Sequence, residues 1–89
     1  MYYVYVLQSE KDEKFYTGFT RGLAKRIEEH NSGVSKATNY RMPLKLVYYE
    51  FSLNHKDAMK RERYLKTTWG KRYIRNRITN YLRETKKCT

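Results

Sequence analysis

The chain has 89 residues with a single cysteine, and its 20 Lys and Arg against 9 Asp and Glu give a formal net charge of +11. That length admits one small domain with a modest core. The lone Cys88 excludes an intrachain disulfide and a zinc site built on several cysteines. No apolar run approaches the roughly 20 residues of a membrane span, and the N-terminus lacks the basic and then apolar pattern of a signal peptide. A reducing cytoplasm is the expected compartment.

Residues Tyr2 to Leu7 read Tyr-Tyr-Val-Tyr-Val-Leu, and Phe15 to Thr20 read Phe-Tyr-Thr-Gly-Phe-Thr. β-Branched and aromatic residues dominate both runs, so each is predicted to be a strand, and the charged stretch Glu10 to Lys14 to be the turn of a hairpin. Side chains alternate faces along a strand, so Tyr3, Tyr5 and Leu7 share one face. A hairpin closing symmetrically about Glu10 and Lys11 would set Tyr5 opposite Tyr16, with Gly18 leaving open floor beside them. Such a pair is either cross-strand packing or the start of a site.

Thr20 is placed to cap a helix from about Gly22 to Asn31, with Leu23 and Ile27 as its apolar stripe and Asn31-Ser32-Gly33 as its stop. Arg26 and His30 lie four residues apart on that helix and share a face. Val34 to Met42 is polar and basic and is read as a loop. Leu44 to Phe51 is predicted to be a third strand. Its blurred alternation at Leu46-Val47-Tyr48-Tyr49 suggests burial on both faces and a central place in the sheet. Asn54 caps a second helix over about His55 to Lys66, with Asp57 in a box-like position. Ala58, Glu62 and Leu65 fall on one face of it, so an acid stands on the stripe that should meet the core. A third helix is expected from about Lys71 to Leu82, with Ile74, Ile78, Tyr81 and Leu82 inward. One domain is expected over residues 1–83, with a frayed basic tail at 84–89. The order β-β-α-β-α-α implies an α+β fold: a small, mostly antiparallel three-stranded sheet with flanking helices.

The charge is uneven. Residues 1–54 hold 8 basic and 6 acidic side chains, whereas residues 55–89 hold 12 basic and 3 acidic. A basic half of that strength suggests a polyanion partner, most often nucleic acid, with Lys60, Arg61, Arg63, Lys66, Lys71, Arg72 and Arg75 as the binding surface. A merely solvated Lys/Arg face is the plainer alternative.

Taken together, these residues resemble the GIY-YIG nuclease superfamily, and within it the small stand-alone bacterial group of UPF0213-like proteins. Tyr3-Val4-Tyr5 stands where the family has Gly-Ile-Tyr, and Tyr16-Thr17-Gly18 where it has Tyr-Ile-Gly. The first glycine is replaced by Tyr3. Arg26 matches the family's helix arginine, His30 the position one turn later, and Glu62 the metal-binding glutamate. Asn76 is a looser match to a family asparagine. The resemblance covers residues 2–82.

The resemblance implies a metal-dependent endonuclease acting on nucleic acid, DNA rather than RNA by analogy, in repair or recombination. The implied catalytic residues are Tyr5, Tyr16, Arg26, His30 and Glu62, with Gly18 structural at the site. Glu62 would hold one Mg²⁺ or Mn²⁺, since Mg²⁺ keeps several waters and takes one or two carboxylates. Arg26 would clamp the scissile phosphate, Tyr5 would orient or deprotonate the attacking water, Tyr16 would position the phosphate or the metal's water shell, and His30 would assist proton transfer. A catalytically weak nucleic-acid-binding module of the same fold is the alternative, and a basic protein bound to structural RNA a second one.

Overall fold

The computed structural model describes residues 1–36 and 38–87. Its centre is β1 (Tyr2–Ser9), which pairs antiparallel with β2 (Phe15–Thr20) on one side and β3 (Leu44–Ser52) on the other, giving the order β2-β1-β3. The expected central strand is therefore an edge. The blur in its alternation has another cause. Val6 pairs with Tyr48 and Leu7 with Leu46, leaving Val47 as an extra residue. This β-bulge turns Val47 and Tyr48 to the same side, where both pack against the Val4 and Val6 layer.

The hairpin also closes differently. Tyr5 lies opposite Gly18, and Leu7 opposite Tyr16. The turn centres one residue later than symmetry about Glu10 and Lys11 requires, because side chains hold it there. Ser9 Oγ accepts from the Lys11 and Asp12 N–H groups at 3.1 and 3.3 Å, and Asp12 Oδ1 accepts from Lys14 N–H at 2.9 Å. Glu13 takes the left-handed conformation the turn requires, with φ of 62°. A pairing shift of two residues keeps every side chain on its face, so Tyr5 and Tyr16 still share one.

Helices cover both faces of the sheet. α1 (Leu23–Asn31) lies on the Tyr5 face, where Leu23 and Ile27 pack against Tyr5, Leu7 and Leu44. Thr20 does not cap it: the N-cap is Gly22, and Thr20 Oγ1 accepts from Gly22 N–H at 3.1 Å instead. At its other end the Asn31 side chain acts as a strand edge. Its Oδ1 accepts from Leu44 N–H at 2.9 Å and its Nδ2 donates to the Leu44 carbonyl at 2.7 Å, tying α1 to the start of β3.

The opposite face carries α2 (His55–Leu65) and α3 (Thr68–Arg77), with Ala58, Leu65 and Ile74 buried against Val4 and Val6. Full burial of a Leu, Ile or Val contributes about 1.5–3 kcal/mol, so this layer is a main source of stability. Asn54 caps α2 as expected, accepting from Lys56 and Asp57 N–H groups at 2.8 and 3.3 Å. Thr67 caps α3 through Gly70 N–H at 3.1 Å.

The single third helix expected over Lys71–Leu82 is instead α3 followed by α4 (Thr79–Lys87). Ile78 leaves helical geometry between them, with φ −112° and ψ 28°, while its side chain packs on the Val4 layer. Thr79 Oγ1 donates to the Arg75 carbonyl at 2.7 Å and takes up an acceptor at the break. The segment from Glu84, expected to fray, is helical through Lys87, whereas Cys88 and Thr89 lie outside the described residues.

Candidate active site

The site grows from the pairing of Tyr5 with Gly18. Tyr5 sits in the central strand and is 1 % exposed. A Cβ at Gly18 would overlap the Tyr5 hydroxyl and Cζ, so the glycine is what lets the phenol lie across β2. The floor expected to stand open beside the two phenols is filled by the Tyr5 ring itself.

His30 faces this phenol from α1. It is fully buried, and both ring nitrogens are engaged: Nε2 lies 2.9 Å from the Tyr5 hydroxyl and Nδ1 lies 2.6 Å from Thr38 Oγ1. The Tyr16 ring packs edgewise on the imidazole, 5.1 Å between centroids. Arg26, one turn earlier on α1, lies beside the Tyr5 hydroxyl and interacts electrostatically with Tyr16, and its Nη1 donates to Glu29 Oε1 at 3.1 Å.

Glu62 enters from α2. Its side chain is 16 % exposed, so the inward placement expected of it is largely met, and its carboxylate pairs with Lys66 at 3.2 Å. Its charge is felt at the Tyr5 hydroxyl. Tyr5, Tyr16, Arg26 and His30 are thereby brought together, whereas Glu62, on the helix of the other sheet face, is linked to them through its charge at the Tyr5 hydroxyl. Asn76 is not among them: it is exposed on α3 and, among the described residues, makes no hydrogen bond to the cluster.

The electrostatics follow from burial. It pushes the Tyr5 phenol up to about 12, with Arg26 opposing and Tyr16 and Glu62 reinforcing. Burial, and then the Arg26 charge, hold His30 below its ordinary value. Both groups are therefore neutral at neutral pH. A neutral imidazole offers one donor and one acceptor. The tautomer protonated on Nδ1 donates to Thr38 and leaves Nε2 to accept from Tyr5.

Among the described residues, no group of three or more His, Cys, Asp or Glu side chains gathers in a metal-ligating arrangement. A lone carboxylate fits an ion that keeps most of its water. The Glu62–Lys66 pair is an i,i+4 contact whose Lys66 side chain is 53 % exposed, a class worth about 0.3–0.5 kcal/mol, so Lys66 is easily displaced. Glu62 and its surroundings thus fit such an ion.

Thr38 is the member that sequence reasoning misses. It lies in the segment read as a polar loop, yet it is fully buried against His30. A threonine in a polar run carries no periodic signal of burial. Some expected nucleic-acid contacts are committed elsewhere. Arg61 donates to both Glu50 oxygens, at 2.8 and 3.2 Å, and stacks over Tyr73. Lys66 is paired with Glu62. Lys60, Arg63, Lys71, Arg72 and Arg75 are exposed.

A three-stranded antiparallel sheet whose paired Tyr strands meet a helix Arg and His, with a Glu on the following helix, defines a nuclease-type domain. Residues 1–76 match the model of the GIY-YIG catalytic domain, and the chain belongs to the GIY-YIG family of nuclease domains, which act on nucleic acid. It is similar to a UPF0213 protein of Clostridium perfringens, 52 % identical over 67 residues that cover 74 % of this chain and 71 % of that one. A UPF0213 protein of Staphylococcus saprophyticus is 40 % identical over 67 residues, covering 74 % and 80 %. Among solved structures, the solution NMR structure of a UPF0213 protein from Bacillus halodurans matches with a TM-score of 0.53 and 33 % identity, covering 83 % of this chain and 82 % of that one.

Proposed function

We propose that this chain is a divalent-metal-dependent endonuclease that hydrolyses phosphodiester bonds in DNA, acting in the cytoplasm in repair or recombination. The observation that carries the reading is the convergence of Tyr5, Tyr16, Arg26 and His30 on one face of the sheet, with the Glu62 charge in reach of the Tyr5 hydroxyl. DNA rather than RNA, and the cellular role, rest on analogy with the family.

Each residue has a part. Arg26 binds and orients the scissile phosphate with the edge of its guanidinium not used by Glu29, and offsets charge developing on the phosphoryl oxygens. The Tyr5 phenol is too weakly acidic to wait as a phenolate, so it works as a neutral relay. It takes the proton of an attacking water while passing its own to His30 Nε2, and Thr38 holds the tautomer that keeps Nε2 open. Tyr16 fixes the imidazole edge and offers a hydroxyl to the phosphate. Glu62 would hold one Mg²⁺ or Mn²⁺, which when bound supplies positive charge against the phosphate and the leaving oxygen.

A second reading has its own support. The Glu62–Lys66 pair at 3.2 Å leaves the carboxylate partly neutralised, as in a catalytically weak nucleic-acid-binding module. Incubation of plasmid, duplex and branched DNA with Mg²⁺, Mn²⁺ or EDTA separates the two. The endonuclease reading expects nicks that need the ion and vanish in Arg26→Ala; binding with no nicking on any substrate would favour the module.

A further inference from the structure

On the sheet face opposite Tyr5, a hollow of about 430 Å³ opens between the hairpin and α3, lined by Lys14, Phe15, Arg41, Lys71 and Arg75. Four of its five walls are cations. Arg41 is held in the wall with its side chain 14 % exposed and is ion-paired with Asp12, whose Oδ2 lies 3.4 Å from Arg41 Nε. Arg41 Nε and Nη2 are buried and, among the described residues, make no hydrogen bond. A buried guanidinium ordinarily has its donors satisfied, so Arg41, though ion-paired with Asp12, keeps donors that no described residue uses. Arg75 is stacked on Phe15, 4.7 Å from the ring centroid, which fixes its direction over the hollow. Like charges brought together in this way repel, and an anion relieves the repulsion. Arg41, Arg75 and the two lysines supply the forked and point donors that phosphate oxygens take.

We infer that this hollow is a phosphate-binding site, separate from the Tyr5–His30 cluster. Its place suggests the source of the phosphate. Phe15 and Tyr16 are consecutive on the edge strand β2, with Phe15 packed on the Val4 layer and Tyr16 on the Tyr5 layer. Site and hollow therefore flank one strand, and a nucleic-acid chain rounding that edge would set a backbone phosphate in each. The backbone source rests on the nuclease reading; phosphate binding itself does not.

The test compares Lys14→Gln/Arg75→Gln with a control of equal charge loss outside the hollow's lining, Lys56→Gln/Arg83→Gln, all in EDTA so that cleavage plays no part. Two probes are used: inorganic phosphate, followed by NMR shifts of the Lys14, Phe15 and Lys71 amides and the Arg41 Nε–H, and an oligonucleotide, followed by the salt dependence of its binding. We expect phosphate to shift these signals in wild type and control but not in the hollow variant. We expect the hollow variant's salt slope to fall below the control's by about 0.9 for each DNA phosphate that the hollow no longer neutralises. A difference with the oligonucleotide identifies a backbone phosphodiester, and a difference with inorganic phosphate alone identifies a free phosphate or monoester. If the two double variants behave alike with both probes, the hollow is ordinary positive surface and the inference is overturned. A protein that never cuts can still pass this test, so its failure is distinct from failure of the nuclease reading.

Discussion

Gly18 faces Tyr5 across the β1–β2 ladder, and the Tyr5 phenol occupies the space that any side chain at position 18 would need. The glycine therefore sets the position of the hydroxyl that meets His30. Gly18→Ala is expected to push the Tyr5 ring off its 2.9 Å contact with His30. The expected cost is about 1–3 kcal/mol of stability, typical of overpacking, with loss of cleavage while the fold survives. Chemical denaturation and a cleavage assay on the same variant check both; wild-type activity would show that the phenol's position is not needed.

Thr38 acts only through His30, 2.6 Å from Nδ1. Thr38→Ser keeps the hydroxyl and is expected to retain most activity. Thr38→Val keeps the shape and removes the hydroxyl, so Nδ1 loses the partner that biases the tautomer. The expected result is a fall in turnover with little change in nucleic-acid affinity, accompanied by a changed His30 tautomer in ¹⁵N NMR. If Ser and Val behave alike, Thr38 is packing alone.

His30 also predicts a pH effect on stability. Its folded pKa lies below the unfolded value of 6.5, so the unfolded chain takes up a proton first as pH falls. The stability held with His30 neutral is thus fully present above pH 6.5 and declines from there down to the folded pKa. The stability difference between wild type and His30→Gln should narrow as pH falls below the unfolded value of 6.5, read by denaturant midpoints. A difference that stays constant as pH falls would contradict the buried neutral histidine.

On the opposite face, α2 and α3 meet at Gly70, where a Cβ would run into the Tyr64 carbonyl and the Leu65 backbone. Backbone cannot step aside as a side chain can. Gly70→Ala is expected to cost at least as much as Gly18→Ala, to shift the thermal midpoint clearly, and to leave the Tyr5–His30 contact intact in the fraction that folds.

Much of this is legible in the sequence for specific reasons. The first two strands declare themselves by β-branched and aromatic residues. Their faces survive a hairpin register two residues away from the symmetric one, since a shift by two preserves alternation. Asn54 signals the start of α2 because a capping side chain acts on the residues that follow it. What is hidden depends on distant partners. That β1 rather than β3 is central follows from pairs as remote in the chain as Tyr2 with Ser52, and the Val47 bulge imitates two-sided burial. Thr38 and Arg41 lie in a run that looks like plain polar loop, and only the folded chain brings one to His30 and the other to the basic hollow. Arg61 resembles any other surface cation until Glu50 is found beside it.

Glu62 is proposed to serve metal-dependent cleavage rather than structure. Glu62→Gln keeps the shape and loses an i,i+4 ion pair with the half-exposed Lys66, so it should fold as wild type does. The decisive measurement is the single-turnover cleavage rate of wild type and Glu62→Gln in Mg²⁺, alongside their DNA affinities in EDTA. The variant is expected to bind as well as wild type or better, with one negative charge fewer facing the phosphates, and to lose metal-dependent cleavage. Equal cleavage rates in Mg²⁺ would contradict the proposal.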